Sequence, residues 1–412
     1  MDENFLIVGK SSIDGAHEWL RCEQRLKVMG DAGYRTIFMP AGADPKVTEH
    51  WLNRADIFMS GQGVGVGTMP HYFMWREETY RKTGRYVPIV WDVDDNPDFI
   101  SPWNSAYENF GQEEVTIVNP DTKVERLLWE NGKGGFDLVR NQLSVKSYKF
   151  LLKHVDALIV TQPYLADQLR KYNPNIEIVP NDVDFKNHYR FRNQPQRDGK
   201  VRILYMGGSS HFLDWKFIAP VLKSIVAQYP HVRICCFGDI RRWAISDLGE
   251  EFVEDMQWQG DYKSFCLKMG TMGVDMAIAP LAMEDPYEAE FNRCKSCLKW
   301  VDYGAVGIPC IAQNEIPYSP EIAFGENVPD LLWDGVLAST HEEWFLALST
   351  MIENPTMRET IGSNAYQTVF KKWNSGTKAD EYHAVFERIL GYSKWTGEVD
   401  LADVSPGIAV AD

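Results

Sequence analysis

The sequence predicts an α/β protein made of two doubly wound, parallel-sheet domains that face a cleft. Three observations carry this. The chain has 412 residues, more than a single core ordinarily organises, and two domains of about 150–200 residues are the natural division. Apolar strand patterns alternate with helical ones along most of the length, as in a parallel sheet covered on both faces. The alternation lapses over the polar, aperiodic "RFRNQPQRDGK" at 190–200 and then restarts, which marks a linker. The expected domains are 1–192 and 198–374. A helix over 375–392 packs back toward the first, and a loosely held tail runs over 393–412.

The elements follow in order. "FLIVG" reads as a buried strand ending at Gly9, "HEWLRCEQRLKVMGDAGY" as a helix stopped at Gly33, and "RTIFMP" and "ADIFMS" as the next strands. "HYFMWREETYRKTG" is helical and "RYVPIVWD" is a fourth strand. An irregular insertion, about 97–138, follows and is rich in Asn, Gly, Pro and Trp; connections of that length are usually functional. "LSVKSYKFLLKHV", "DALIVT", "PYLADQLRKY" and "IEIVPN" complete the first half as helix, strand, helix and strand. In the second half, "VRILYMGGSS" is a strand running into a Gly-rich loop and "WKFIAPVLKSIVAQYP" a helix. "VRICCFGD", "YKSFCLKMG" and "VDMAIAPL" continue as strand, helix and strand. "KSCLKWVDYGAVGIPCIA" (Lys295–Ala312) reads as an amphipathic helix, a Gly-Ile-Pro stop and a buried strand, and two closing helices follow.

Bulk properties narrow the function. A hydrophobic fraction of 44 % and an aromatic fraction of 13 % are those of a folded globular protein. No apolar run reaches the roughly 18 residues of a membrane span, and "MDENFLIVGKSS" does not resemble a signal peptide. The expected location is the cytoplasm, or the host cytoplasm for a phage-encoded protein. The seven cysteines are odd in number, two are adjacent and several sit in apolar strands, so reduced thiols are expected. Cys294 and Cys297 form a lone C-x-x-C with no second ligand pair, which reads as coincidence. The net charge of −16 argues against general nucleic-acid binding. It is uneven: residues 1–200 carry 25 basic and 28 acidic groups, and residues 201–412 carry 17 and 30.

Two strand-to-helix junctions in the second half offer an anion site. In "YMGGSSHFLDWK", Gly207 and Gly208 let a ligand approach the backbone. Ser209, His211 and Lys216 supply polar and cationic groups near a helix start expected at about Asp214. In "EFNRCKSCLKWVDYG", Arg293 and Lys295 flank an expected helix start. The helix dipole disfavours cations there, so a bound dianion would explain them. Asp302 lies seven residues after Lys295, two turns along the same face, where a carboxylate could take ribose hydroxyls. Lys299 reads as a surface residue.

The same segment resembles the donor-binding stretch of family 4 (group 1) glycosyltransferases with the GT-B fold. It is most similar to the bacterial-polysaccharide and phage-encoded branch, FN-x-x-KS-x-LK-x-x-E-Y-x-A-x-G-I-P-V-V-A. "IVPNDVD" (Ile178–Asp184), "VWDVDD" (Val90–Asp95) and "DALIVTQPYLADQL" resemble further markers of that family. The resemblance spans about 85–375, without 112–140. It implies transfer of a sugar from a nucleoside-diphosphate sugar, a UDP-sugar above others, by a retaining, metal-independent enzyme with no cofactor. Asn292, Lys295 and Ser296 fall on its motif. Asp302 falls on the second of two family glutamates and is implied to bind the ribose; the first falls on Cys294, which cannot replace it. The family's usual Arg of the first junction is absent, leaving Arg293, Lys295 and Lys216 for the phosphates.

The acceptor is expected on the first domain. Asp92, Asp94 and Asp95 close its fourth strand as active-site acids, and Ser11, Ser12, His17 and Arg21 form a second candidate wall. A surface glycan and a hydroxymethylated base in phage DNA both suit the fold. The aromatic–basic pairs around Arg76, Arg81, Lys82 and Lys149 would serve the second. Rival readings are a non-catalytic sugar-nucleotide or carbohydrate-binding protein, a sugar-nucleotide epimerase, and an NAD(P) oxidoreductase. The last would use Gly61, Gly63, Gly65 and Gly67, whose spacing is not G-x-G-x-x-G. The oligomeric state is not legible.

Overall fold

The computed structural model describes residues 5–11, 18–61, 69–118, 123–258 and 260–392. They form two compact units. The described residues within 1–95, 139–181 and 375–412 make the first, and those within 96–138 and 182–374 the second. The closing helix therefore belongs to the first unit. The 96–138 segment, which its place in the sequence assigned to the first domain, belongs to the second.

The first unit is built on a six-stranded sheet of order β2-β1-β3-β4-β7-β8. Its strands are β1 (Ile7–Lys10), β2 (Thr36–Met39), β3 (Ile57–Gly61), β4 (Ile89–Val93), β7 (Ala157–Val160) and β8 (Ile176–Ile178). All pairings are parallel, with Ile7 opposite both Thr36 and Ile57. The central strands are buried along their full length, which is why they read as continuous apolar runs rather than alternating ones. The C-terminal helix, Ala379–Gly391, packs its Tyr382, Val385, Phe386 and Ile389 into the core beneath β1.

The second unit repeats the plan with order β11-β10-β9-β12-β13-β14. The strands are β9 (Val201–Met206), β10 (Val232–Phe237), β11 (Val253–Asp255), β12 (Met276–Ala279), β13 (Cys310–Gln313) and β14 (Val336–Ala338), again all parallel. The two three-residue edge strands, β11 and β14, were not foreseen; they are too short to show a period. In each sheet the strand order reverses beside the first strand, between β1 and β3 and between β9 and β12. Ligands of doubly wound sheets bind outside the carboxyl ends at that reversal.

Several helices open on one device, a capping side chain followed by proline. Asp44-Pro45, Gln162-Pro163, Asp285-Pro286 and Asn354-Pro355 each cap a backbone N–H and place proline where no N–H is needed. The expected irregular insertion contains a short helix, Tyr107–Phe110, and a two-stranded hairpin of β5 (Val115–Val118) and β6 (Glu125–Trp129). Its Ile100, Tyr107 and Phe136 pack with Phe291, which anchors the segment to the second unit. None of the seven cysteines forms a disulfide, and six of them are buried. Among the described residues no helix is long and apolar enough to cross a membrane.

Candidate functional site

The two junctions at the β9/β12 reversal come together. After β9 the chain passes Gly207 and Gly208, makes a tight turn over Ser209–His211 and enters helix α7 (Phe212–Gln228). Gly207 packs closely: a Cβ there would lie 3.1 Å from the His211 ring, so the ring would have to shift by a few tenths of an ångström. At Gly238 φ is +115°, and a Cβ would lie 2.4 Å from the Gly207 carbonyl oxygen. Gly208 meets nothing within 4 Å and leaves its backbone open to approach.

After β12 the chain forms helix α10 (Pro286–Cys294), breaks over Lys295–Cys297, and re-forms as α11 (Leu298–Ala305). This break corrects the sequence reading in three ways. Arg293 lies in the last turn of α10, where a cation suits the dipole, and it pairs with Glu290 (2.7 Å) and Glu315 (3.1 Å). Lys295 lies outside the helix, so the helical spacing argument linking it to Asp302 does not apply. Lys299, expected on the surface, is the cation that α11 turns inward.

The core of the site is His211, Asp214, Asn292, Lys295 and Lys299. Asp214 is fully buried; its Oδ2 lies 2.7 Å from His211 Nδ1, and its Oδ1 accepts from the Ala282 N–H (2.7 Å) and from Asn292 Nδ2 (3.2 Å). Lys295 Nζ donates to Asn292 Oδ1 (2.7 Å) and rides 4.9 Å from the Phe291 ring centre. Lys299 Nζ stands 3.4 Å from His211 Nδ1 and 5.6 Å from the Tyr205 ring centre. Burial opposes the Asp214 charge, but the His211 hydrogen bond and the two lysines hold its carboxyl well below the usual range. Burial and the same lysines push His211 down to about 3, so it is neutral, not cationic as the sequence allowed. Burial, with Lys295 adding to it against the pull of Asp214, lowers Lys299 to about 7.

Other residues expected on the donor side are placed apart. Lys216 is exposed on α7, 3.9 Å from Asp247. Ser209 Oγ meets Ser105 Oγ at 3.0 Å. Ser296 lies half-buried in the break between α10 and α11. Asp302 is buried on α11 and accepts from the Tyr189 hydroxyl at 2.5 Å; burial raises its carboxyl to about 7.

In the first unit, Asp92 is fully buried and bound by two guanidinium groups. Arg21 Nε and Arg25 Nη1 each donate to it at 2.7 Å. Both arginines also donate to the carbonyl of Val179, and Arg21 to Asn181 Oδ1 (2.9 Å). Asp92 is thus an ion-pair anchor rather than an accessible base, and Arg21 is its partner rather than a free acceptor contact. A π-turn over Trp19–Glu23 precedes helix α1 (Gln24–Asp31), so the two arginines stand one turn apart. Asp94 and Asp95 are half-buried beyond β4, and the Asp95 carbonyl accepts from the Tyr148 hydroxyl (3.2 Å). Ser11 is buried, its N–H bonded to the Met39 carbonyl (3.0 Å). Ser12, His17, Gly63, Gly65 and Gly67 lie outside the described residues. Three of the basic residues in the aromatic–basic pairs are matched by acids. Arg76 is buried against Asp156 (2.7 Å), and Arg81 and Lys82 pair with Glu77 and Glu78 along their own helix.

The architecture defined by the two sheets is that of the GT-B glycosyltransferases. Solved structures with this fold include a sucrose-phosphate synthase from Thermosynechococcus elongatus, with 13 % identity and a TM-score of 0.57, covering 94 % of this chain and 99 % of that one. Anabaena HepE in complex with UDP-glucose matches at 12 % identity and a TM-score of 0.56, over 93 % and 100 %. S. aureus TarM, in a mutant complex containing UDP, matches at 11 % identity and a TM-score of 0.50. The match covers 82 % of this chain and 55 % of TarM, so the chain spans little more than half of that relative's length. No protein-family model matches the chain, and no curated protein does.

Proposed function

We propose that the protein transfers a sugar from a nucleoside-diphosphate sugar, a UDP-sugar, to a hydroxyl of a glycan acceptor. The observation that carries the reading is the convergence of Lys295 and Lys299 on the His211–Asp214 pair, at the strand-order reversal of a GT-B sheet. When the glycosidic bond breaks, negative charge grows on the diphosphate oxygen. Fixed ammonium groups in a partly dehydrated site stabilise that charge without reorganising. Lys295 is held in place by Asn292, and Lys299 takes up its full charge as the anion arrives. In this scheme the lysines do the work a metal would otherwise do. Asp302 takes the ribose hydroxyls in exchange for its bond to Tyr189.

Asp94 and Asp95 orient the acceptor hydroxyl, and retention needs no stronger base. The internal pairing of Arg76, Arg81 and Lys82 favours a glycan over DNA as acceptor. Calorimetry with UDP, UDP-sugars and NADH tests the donor class. Mass spectrometry of products formed with and without glycan acceptors tests transfer. Asp94→Asn and Asp95→Asn should lower transfer while leaving UDP-sugar affinity within about twofold. Tight NADH binding without UDP binding would overturn the reading.

A further inference from the structure

Glu288 is the third residue of α10, and its backbone N–H is capped by Asp285 Oδ1 (2.9 Å). An acid at this position commonly turns back to bond the helix start. Glu288 does not. It is 1 % exposed, and neither carboxylate oxygen has a hydrogen-bond partner. Beside it stands Asn104, 2 % exposed, from the 96–138 segment. Asn104 Oδ1 accepts from the Ala106 N–H (3.0 Å), while its Nδ2 has no partner. Both residues are held in position. The packing of Phe291 with Ile100, Tyr107 and Phe136 locks α10 to the segment, and Ser105 is tied to Ser209.

Buried carboxylates and amides are rarely left unpaired, because the lost hydration is not recovered. The groups acting on Glu288 give mixed help: Lys295 and the adjacent Asn104 amide favour its charge, while Asp214 and Asp285 repel it. Burial is the largest influence and raises the carboxyl to about 7. Lys295 joins this pair to the cluster proposed for the diphosphate, through Asn292 and Asp214. An adjoining carboxylate and carboxamide are the complement of neighbouring sugar hydroxyls: the carboxylate accepts two O–H groups and the amide donates to a hydroxyl oxygen.

We infer that Glu288 and Asn104 form the subsite that grips the hydroxyls of the donor sugar, with the 96–138 segment supplying one of its two readers. The inference rests on the nucleoside-diphosphate-sugar reading and goes beyond it, since the family resemblance carries no role onto either residue. Glu288→Gln keeps the shape and removes the charge. Asn104→Asp keeps the Oδ1 contact to Ala106 and removes the donor.

The test is calorimetry on the full chain with UDP, UDP-glucose, UDP-galactose and UDP-N-acetylglucosamine. Each variant should weaken the preferred UDP-sugar about tenfold or more while leaving UDP within about twofold. Glu288→Gln should melt at or above the wild-type temperature at pH 8, because an unpaired buried carboxylate has been removed. Equal weakening of UDP and UDP-sugar, no weakening of either, or a lowered melting temperature for Glu288→Gln would overturn the subsite. Wild-type protein that binds neither UDP nor any UDP-sugar would instead overturn the donor reading on which it stands.

Discussion

Lys299 gives the sharpest test of the proposed donor site. Its ammonium is lowered to about 7 by burial and by Lys295, so near neutral pH the empty site is only about half charged there. A bound diphosphate reverses that balance and restores the charge. Below pH 7 the lysine is already protonated and UDP-sugar affinity should be flat in this respect. Above pH 7 binding must take up a proton, and affinity should fall by up to about tenfold per pH unit. The diphosphate of a UDP-sugar is a diester with no group titrating in this range, so the slope reports the protein. Lys299→Met keeps the apolar stem and removes the charge. At pH 6.5 it should weaken binding by the worth of a charged hydrogen bond, about 1.5–3 kcal/mol or ~10–150-fold. By pH 8.5 wild type and variant should converge. Glu288 titrates in the same range, so the decisive quantity is the difference between the two proteins. Calorimetry from pH 6.5 to 8.5, repeated in buffers of different ionisation heat, measures affinity and proton uptake together. A constant ratio of affinities across that range would refute the argument.

Lys295→Ala should weaken UDP-sugar binding ~10–150-fold, whereas Arg293→Ala, whose charge is spent on Glu290 and Glu315, should leave it within about twofold by the same calorimetry. Asp92→Asn breaks a fully buried charge cluster and should cost about 3–5 kcal/mol in denaturant unfolding; a loss under about 1 kcal/mol would mean the arginines are hydrated. Asp302 is raised to about 7 in the folded chain, so its contribution to stability declines as pH rises from about 4 through 7. Asp302→Asn should therefore melt higher than wild type at pH 8 but not at pH 4, while binding UDP more weakly; unchanged UDP affinity would assign Asp302 to Tyr189 alone. Turnover should survive EDTA, and full loss with recovery on adding Mn²⁺ would sink the metal-independent scheme.

The sequence by itself determined the two parallel sheets and the two strand-to-helix junctions proposed for the donor. Strands such as "VRILYM" and "VDMAIA" are buried on both faces, so their apolar runs needed no tertiary partner to be recognised. The Gly207–His211 turn was equally legible, because paired glycines between an apolar strand and a helical pattern mark a strand-to-helix turn. The tertiary structure alone decided which charges are free. Arg21 and Asp92 are 71 residues apart in sequence, and nothing local shows that each neutralises the other. Lys299 read as a surface residue because a lysine is seldom buried; that its Nζ lies 3.4 Å from His211, 88 residues away, depends on tertiary packing. At Lys295 the sequence reading missed the helix that precedes it: the expected helix start is the end of α10, and the chain re-forms as α11 only at Leu298. The 96–138 segment shows the same division most plainly. Composition marked it as an insertion, but its ring cluster with Phe291 attached it to the second unit and brought Asn104 to Glu288. Contacts of that kind follow from which surfaces remain unburied once both sheets have formed, a quantity that no local pattern encodes.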